Sequence, residues 1–253
     1  MSEVALIVGG GPGVSASCAR LFVAEGMKVA IAARSPEKES MQKLSKELGV
    51  LCIRCDASIP EEVSALFDEV KSELGAPNLV VHNIDGRSPD IFRKTITEAD
   101  PELALSTLKN STYSAFLIGQ QAAASMLSMD REDNDHLGSI IFTNASAAFK
   151  GYPRSGAFAM ASHGKSGLAQ SMARELMPQG IHVVHVPSTL QSAGLRKMEF
   201  DAIGLLAIQK TTIWRIQTKS QRPIFTSTGN INRHGHLRLL SGPGLKLGNL
   251  IST

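Results

Sequence analysis

The chain opens on Val4-Ala5-Leu6-Ile7-Val8-Gly9-Gly10-Gly11-Pro12-Gly13-Val14-Ser15, and this stretch decides the fold. Its first five residues are apolar, which is typical of a buried strand. Four glycines and one proline follow, and residues 14–26 then have helical character. In such a unit the glycines let the backbone approach a phosphate, and the helix N-terminus offers N–H groups and a positive dipole. The stretch therefore predicts a dinucleotide-binding turn.

The alternation of strand and helix continues through residue 188. Asp100 is expected to cap a long helix that begins at Pro101 and ends near Met129. Apolar strands that alternate with helices predict a parallel sheet covered on both faces, so the fold class is α/β with a doubly wound sheet. The later predicted strands lie at 27–33, 51–53, 79–82, 139–143 and 181–186.

Composition indicates an ordinary soluble protein. The chain has 253 residues, of which 43% are hydrophobic and 19% charged. We expect no membrane segment, because no apolar run reaches the ~18 residues that a spanning helix needs. The first strand starts almost at residue 1, so we expect no targeting peptide and a cytoplasmic location.

Charge divides the chain into two parts. Residues 1–189 are expected to form the dinucleotide-binding domain, and residues 190–253 a divergent basic segment. No Asp or Glu follows Asp201. We do not expect nucleic-acid binding, because the cations are scattered and aromatic residues are few. Residues 130–135 are interpreted as a solvated polar loop. The cations that follow Asp201 are Lys210, Arg215, Lys219, Arg222, Arg233, Arg238 and Lys246.

Two cysteines, Cys52 and Cys55, have the CxxC spacing of some metal and redox sites. They fall at a predicted strand, where residues three apart point to opposite faces. We therefore favour reduced structural cysteines and expect no metal.

These motifs together resemble the short-chain dehydrogenase/reductase family over roughly residues 3–188. The family's TGxxxGxG turn is matched by Gly9 and Gly13, with Ser15 in place of the third glycine. Asn83 matches the NNAG motif that follows the fourth strand, although Ile84 and Asp85 replace its small residues. The resemblance implies a Rossmann-type sheet, a nicotinamide cofactor, a small-molecule substrate and a possible homo-oligomer.

The resemblance also implies a set of cofactor contacts. At the end of the second strand, where NAD-binding members carry an acid, this chain has Arg34. An arginine can pair with a 2′-phosphate, which favours NADP over NAD; the alternative is a surface arginine. Asp56 matches an adenine-contacting aspartate, and it can also serve as a turn residue. The predicted cofactor-binding residues are Gly9, Gly11, Pro12, Gly13, Val14, Arg34, Asp56, Ala57, Asn83 and Ile84.

The catalytic motif of the family is altered. Ser146 fits the catalytic serine, and the alternative is a plain loop serine. Phe158 and Ser162 occupy the tyrosine and lysine positions of YxxxK, and Ser111 occupies that of the asparagine. Phenylalanine cannot move a proton, and serine carries no charge. The standard acid–base pair is therefore missing.

Two other residues are candidate substitutes. Tyr152 precedes the helix and can reach toward Ser146, while Lys165 lies one turn beyond Ser162 on the same helix face. The alternative is that Tyr152 packs against its loop and that Lys165 is solvated or touches a phosphate.

Three functions fit the sequence. The first is an NADP(H)-dependent oxidoreductase that transfers hydride to or from a small carbonyl or alcohol, with Ser146, Tyr152 and Lys165 as catalytic residues. The second is a catalytically impaired nucleotide-binding protein with a regulatory or partner role, as the missing tyrosine and lysine suggest. The third is an interaction protein that acts through its basic segment. We place the oxidoreductase first.

Overall fold

The structure is a computed structural model that describes residues 3–129 and 136–188, together with residues 230–231 and 237–238. The predicted polar loop at 130–135 lies outside the described residues. So does the basic segment, apart from the strands β7 (Asn230–Ile231) and β8 (Leu237–Arg238), which pair antiparallel with each other. The division of the chain near residue 189 stays a prediction.

Strands and helices alternate along the described residues, as the sequence predicts. The strands are β1 (Val4–Val8), β2 (Lys28–Ala33), β3 (Leu51–Arg54), β4 (Leu79–His82), β5 (Gly138–Ala145) and β6 (Ile181–Ser188). The helices are α1 (Val14–Ala24), α2 (Glu39–Leu48), α3 (Pro60–Glu73), α4 (Pro101–Leu108), α5 (Ser114–Leu127) and α6 (Gly156–Leu176). Short 3₁₀ turns lie at Pro89–Ile91, Ser146–Ala148 and Met177–Gln179.

The six strands β1–β6 form one parallel sheet in the order β3-β2-β1-β4-β5-β6. This order places β1 and β4 side by side at the centre, with successive strands added outward on either side. In open parallel sheets the crevice at this reversal, at the carboxyl ends of the strands, is where ligands bind. The prediction of a doubly wound α/β fold is confirmed.

Each face of the sheet buries its own core. One face packs α1 and α2 against the central strands, with Phe22, Ile31 and Met41 among its buried residues. The other packs α3, α5 and α6 against the sheet, with Phe67 and Phe142 inside. Burial of two apolar faces explains why the strands read as continuous apolar runs.

The long helix predicted from Pro101 is interrupted. Asp100 caps it as expected, since its Oδ1 accepts hydrogen bonds from the N–H of Glu102 at 2.8 Å and of Leu103 at 3.4 Å. A π-helical turn at Lys109–Tyr113 then separates α4 from α5. Such turns insert one residue into a helix and are frequent at functional sites. Here the turn contains Ser111.

Gly9 gives the first test of the fold. Its φ is +102°, and an added Cβ would lie 2.3 Å from the Asn83 carbonyl oxygen. We expect Gly9→Ala to lower the free energy of unfolding by about 2 kcal/mol or more, through backbone strain and overlap. Chemical denaturation measures the change. Gly11→Ala is the matched control, because an added Cβ there has no neighbour within 4 Å. Equal stability losses in the two variants would contradict this interpretation.

Candidate functional site

The glycine turn leaves the start of α1 open. The N–H groups of Gly9 and Gly10 both donate to the Ala32 carbonyl, at 3.0 and 2.9 Å, which fixes the turn against β2. Gly13 is the N-cap of α1 and has no side chain to occupy the first N–H groups of the helix. Space is also open beside Gly11. Uncovered N–H groups with the helix dipole behind them suit a phosphate.

A chain of hydrogen bonds joins the carboxyl ends of the three central strands. The Thr143 hydroxyl donates to Asn83 Oδ1 at 2.7 Å, and Asn83 Nδ2 donates to Ser15 Oγ at 2.8 Å. Ser15 Oγ in turn donates to the Gly9 carbonyl at 2.7 Å. Ser15, which stands in place of the third glycine of the family turn, thus links Asn83 to the glycine turn.

Arg34 and Asp56 lie near each other at the ends of β2 and β3. Burial disfavours the charged form of Asp56, whereas hydrogen bonds from Ser58 favour it. Together with the charges of Arg34 and Lys109 they hold the pKa of Asp56 below its usual value. Arg34 itself is exposed. The hydrogen bonds with Ser58 show the turn role of Asp56, and its contact with adenine stays a prediction.

The predicted serine and tyrosine come together. Ser146 directly follows β5, which extends beyond β4 at the carboxyl edge of the sheet. The Tyr152 hydroxyl donates to Ser146 Oγ at 3.0 Å, and its side chain is exposed. Lys150 Nζ lies 5.1 Å from the centre of the Tyr152 ring. A phenol beside a serine hydroxyl has the groups needed to hold and protonate a carbonyl oxygen.

A cation covers the ring of Phe158. The Arg87 guanidinium lies 3.9 Å from the centre of the Phe158 ring. It also donates to both carboxylate oxygens of Asp85, each at 2.6 Å. A paired cation that lies on an aromatic face is held firmly. The ring of Phe158, the residue predicted to match the family tyrosine, thus holds Arg87 in place, and no sequence pattern indicated this contact.

Lys165 is buried, and the alternative that it is solvated is wrong. It is 1% exposed, and its Nζ donates to the Ile84 carbonyl at 2.8 Å and more weakly to that of Thr143 at 3.4 Å. Burial lowers the pKa of Lys165 to about 8, although the Asp85 charge opposes the shift. Among the described residues its hydrogen-bond partners are these two carbonyls, and neither Ser146 nor Tyr152 is one of them.

Two histidines, the buried His82 and the half-buried His185, interact electrostatically with this lysine. His82 Nε2 lies 2.9 Å from Ser114 Oγ, and His185 Nε2 lies 2.9 Å from Asn144 Nδ2. Burial first, and the Lys165 charge second, lower the pKa of His185 to about 4 and that of His82 well below its usual value. Both imidazoles are therefore neutral at pH 7. Ser162 Oγ is buried and has no partner among the described residues.

A cavity of about 320 Å³ opens beside Ser146 and Tyr152. Its walls come from the segment after β4, residues 85–99, and from the segment between β5 and α6, residues 145–158. Phe158 contributes to its lining. The volume lies in the range of small-molecule sites, and the position is where this fold places them.

The remaining predicted contacts occupy varied surroundings. Ala57 is buried in the core, so a ligand could reach only its backbone, while Pro12 is exposed and Val14 half-buried.

Cys52 and Cys55 each have a backbone carbonyl near the sulfur, and burial raises the pKa of Cys55 to about 12. A thiol with so high a pKa is a poor nucleophile or ligand.

None of the described helices has the length and apolarity required to cross a membrane.

Comparisons with known proteins agree with the fold. The profile of a family described as enoyl-(acyl carrier protein) reductase matches residues 10–204. Short chain aldehyde dehydrogenase 1 of Euphorbia lathyris is 28% identical over 185 residues, covering 72% of this chain and 61% of that protein. The chain thus spans less than two thirds of that relative. The 3-oxoacyl-[acyl-carrier-protein] reductase of Bos taurus is 25% identical over 185 residues, covering 72% and 73% of the two proteins.

Solved structures agree as well. A short-chain dehydrogenase from Rhodopseudomonas palustris superposes with a TM-score of 0.68 and 27% identity, covering 81% of this chain and 90% of that one. A putative oxidoreductase from Escherichia coli has a TM-score of 0.72 at 22% identity, covering 84% and 92%, and supports the fold alone.

The buried lysine predicts a pH dependence of stability. The pKa of Lys165 is about 8 in the folded protein and 10.5 ordinarily. Between these values the unfolded chain binds more protons than the folded one. The contribution of Lys165 to the free energy of unfolding therefore rises with pH, by at most about 1.4 kcal/mol per unit. Below pH 8 its burial cost is fully present.

Chemical denaturation at pH 7.5, 8.5 and 9.5 tests this dependence. We expect Lys165→Met to remove that rise, whereas Lys46→Met, at an exposed position on α2, keeps it. If the free energy of unfolding of the Lys165 variant rises with pH by the same amount, the rise comes from other titratable groups.

Proposed function

This chain belongs to the short-chain dehydrogenase/reductase family, and we propose that it is an oxidoreductase that uses NADP(H) to interconvert a small carbonyl compound and its alcohol. The observation that carries the proposal is the hydrogen bond between Tyr152 and Ser146 at the mouth of a cavity. It supplies an acid–base group at the edge of the sheet where the glycine turn also lies.

The cofactor would be held by residues that already have suitable surroundings. The start of α1 after Gly13 would take the pyrophosphate, Arg34 the 2′-phosphate and Asp56 the adenosine end. Asn83 is held rigidly between Thr143 and Ser15, at the floor of the crevice. When bound, a nicotinamide cofactor supplies or accepts the hydride.

Tyr152 would move the proton in this reaction. During reduction its hydroxyl donates a proton to the substrate oxygen, and Ser146 orients that oxygen by a second hydrogen bond. During oxidation the proton returns along the same path. Lys165 would act indirectly. Its Nζ donates a hydrogen bond to the Ile84 carbonyl and thereby fixes the backbone of the crevice wall. We therefore propose it as a positioning residue.

Phe158 and Ser162 support a second candidate, a nucleotide-binding protein without turnover. Both positions lack the standard acid–base chemistry, and a well-placed acid or base contributes about 10²–10⁴ in rate. Saturable cofactor binding without reduction of any carbonyl compound would favour this second function.

The role of Tyr152 predicts a loss of rate. We expect Tyr152→Phe to lower kcat by about 10²-fold or more and to leave cofactor affinity unchanged, because only the proton donor is removed. Steady-state kinetics with a panel of ketones and aldehydes measures this effect. Tyr113→Phe is the matched control at an exposed tyrosine on the π-helical turn. Unchanged turnover in the Tyr152 variant would end the proposed acid–base role.

The role of Arg34 predicts a change in cofactor preference. We expect Arg34→Asp to weaken NADPH binding at least about tenfold relative to NADH, because a carboxylate would face the 2′-phosphate. Fluorescence titration of the two nicotinamides gives both Kd values. Arg174→Asp, at an exposed position in the last turn of α6, is the charge-matched control. An unchanged ratio would show that Arg34 does not face the 2′-phosphate.

A further inference from the structure

The cavity beside Ser146 and Tyr152 is unusually rich in cations. Four basic side chains line it, from Arg87, Arg93, Lys94 and Arg154, and its one acidic lining residue among those described is Asp85. Small-molecule sites are mostly apolar and carry a few placed polar groups, so this excess of one charge bears on what the cavity binds.

The pairing of these charges separates them into two groups. Arg87 is matched by Asp85, and Lys94 acts electrostatically on nearby Glu98. Arg93 and Arg154 have no carboxylate oxygen within 4.0 Å among the described residues. Both are exposed, one on each wall of the cavity. Two unmatched guanidinium groups would attract an anion into the cavity.

The backbone at these two arginines is unusual. Arg93 has a φ of 60° and Arg154 a φ of 59°, and in the described chain they are the two residues other than glycine with positive φ. This conformation costs an L-residue roughly 1–2 kcal/mol, and glycine would adopt it freely. Strained residues cluster at ligand sites, where their side chains are required. The two strained positions therefore mark the same cavity as the unmatched charges.

We propose that the substrate carries an anionic group, a carboxylate or a phosphate, which Arg93 and Arg154 hold while its carbonyl faces Ser146 and Tyr152. This inference rests on the proposed function and adds the substrate class. Guanidinium forks match the paired oxygens of either anion. The aromatic rings of Phe92 and Phe158 hold Arg87 at 5.3 and 3.9 Å, and so keep it on the cavity wall with its charge already paired.

The test compares a keto acid with its neutral ester. The probes are 4-oxopentanoate and methyl 4-oxopentanoate, which carry the same ketone and differ in charge. Saturation-transfer NMR of their methyl signals measures Kd at low salt, where screening is weak. Each titration is run with and without NADP⁺, the oxidised form, which cannot reduce a ketone. Inorganic phosphate is added as a competitor to separate a phosphate preference from a carboxylate preference.

We expect the acid to bind at least about tenfold more tightly than the ester in the titrations with NADP⁺, in those without it, or in both. The double variant Arg93→Gln/Arg154→Gln should remove this preference. The control Arg20→Gln/Arg174→Gln removes the same charge at exposed positions outside the cavity lining, and should keep it. Displacement of the acid by phosphate, or phosphate binding in place of the acid, supports the phosphate form of the proposal.

Glycine variants distinguish a loss of anion binding from a loss of folding. Arg93→Gly/Arg154→Gly should lose the preference for the acid while Tm stays equal or rises, because glycine relieves the strain. Equal binding of acid and ester without any effect of phosphate, no binding of any anion, or a preference retained in both the Gln and the Gly variants of Arg93 and Arg154 would overturn the proposal. These titrations measure binding and not turnover. The protein can therefore bind the anion without binding the cofactor, or bind the cofactor without binding the anion, so the substrate class and the oxidoreductase proposal are tested separately.

Discussion

The hydrogen-bond chain from Thr143 through Asn83 and Ser15 to Gly9 is the constraint on which the rest of the site depends. It connects the ends of β5 and β4 to the glycine turn. Parallel strands alone do not fix the loops that follow them, because loops lack the ladder of backbone hydrogen bonds. Partly buried side-chain bonds between strand ends supply that order. The start of α1 and the crevice beside β4 are therefore held in one arrangement.

The altered catalytic helix changes what surrounds this framework. The resemblance places Phe158 and Ser162 where the family has its tyrosine and lysine, and neither side chain can donate and recover a proton at a substrate oxygen as that pair does. Arg87 covers the phenylalanine ring, and Lys165 turns inward to the Ile84 carbonyl. The proposed acid–base group lies in the segment before α6, where Tyr152 donates to the serine that follows β5. That segment also brings Arg154 to the cavity wall, and the segment after β4 brings Arg87, Arg93 and Lys94.

The sequence predicted the fold well, because strands that are buried on both faces read as long apolar runs. It also anticipated that Tyr152 could reach Ser146, since a short loop limits where a side chain can lie. It missed the π-helical turn within the long helix, which leaves no periodic signal, and the burial of Lys165, which depends on packing against distant strands. The positions of Arg87, Arg93 and Arg154 depend on loop conformations, and a single sequence does not specify these.

The central claim is that the hydrogen-bond chain from Thr143 to Gly9 shapes a functional nucleotide site. A parallel NADPH titration of wild type and Asn83→Leu tests this claim most directly. Nicotinamide fluorescence reports binding, and circular dichroism verifies that the variant is folded. We predict saturable one-to-one binding by wild type and at least about tenfold weaker binding by the variant, because two hydrogen bonds of the chain are lost. Equal affinity in a folded variant, or no binding by wild type, would contradict the account.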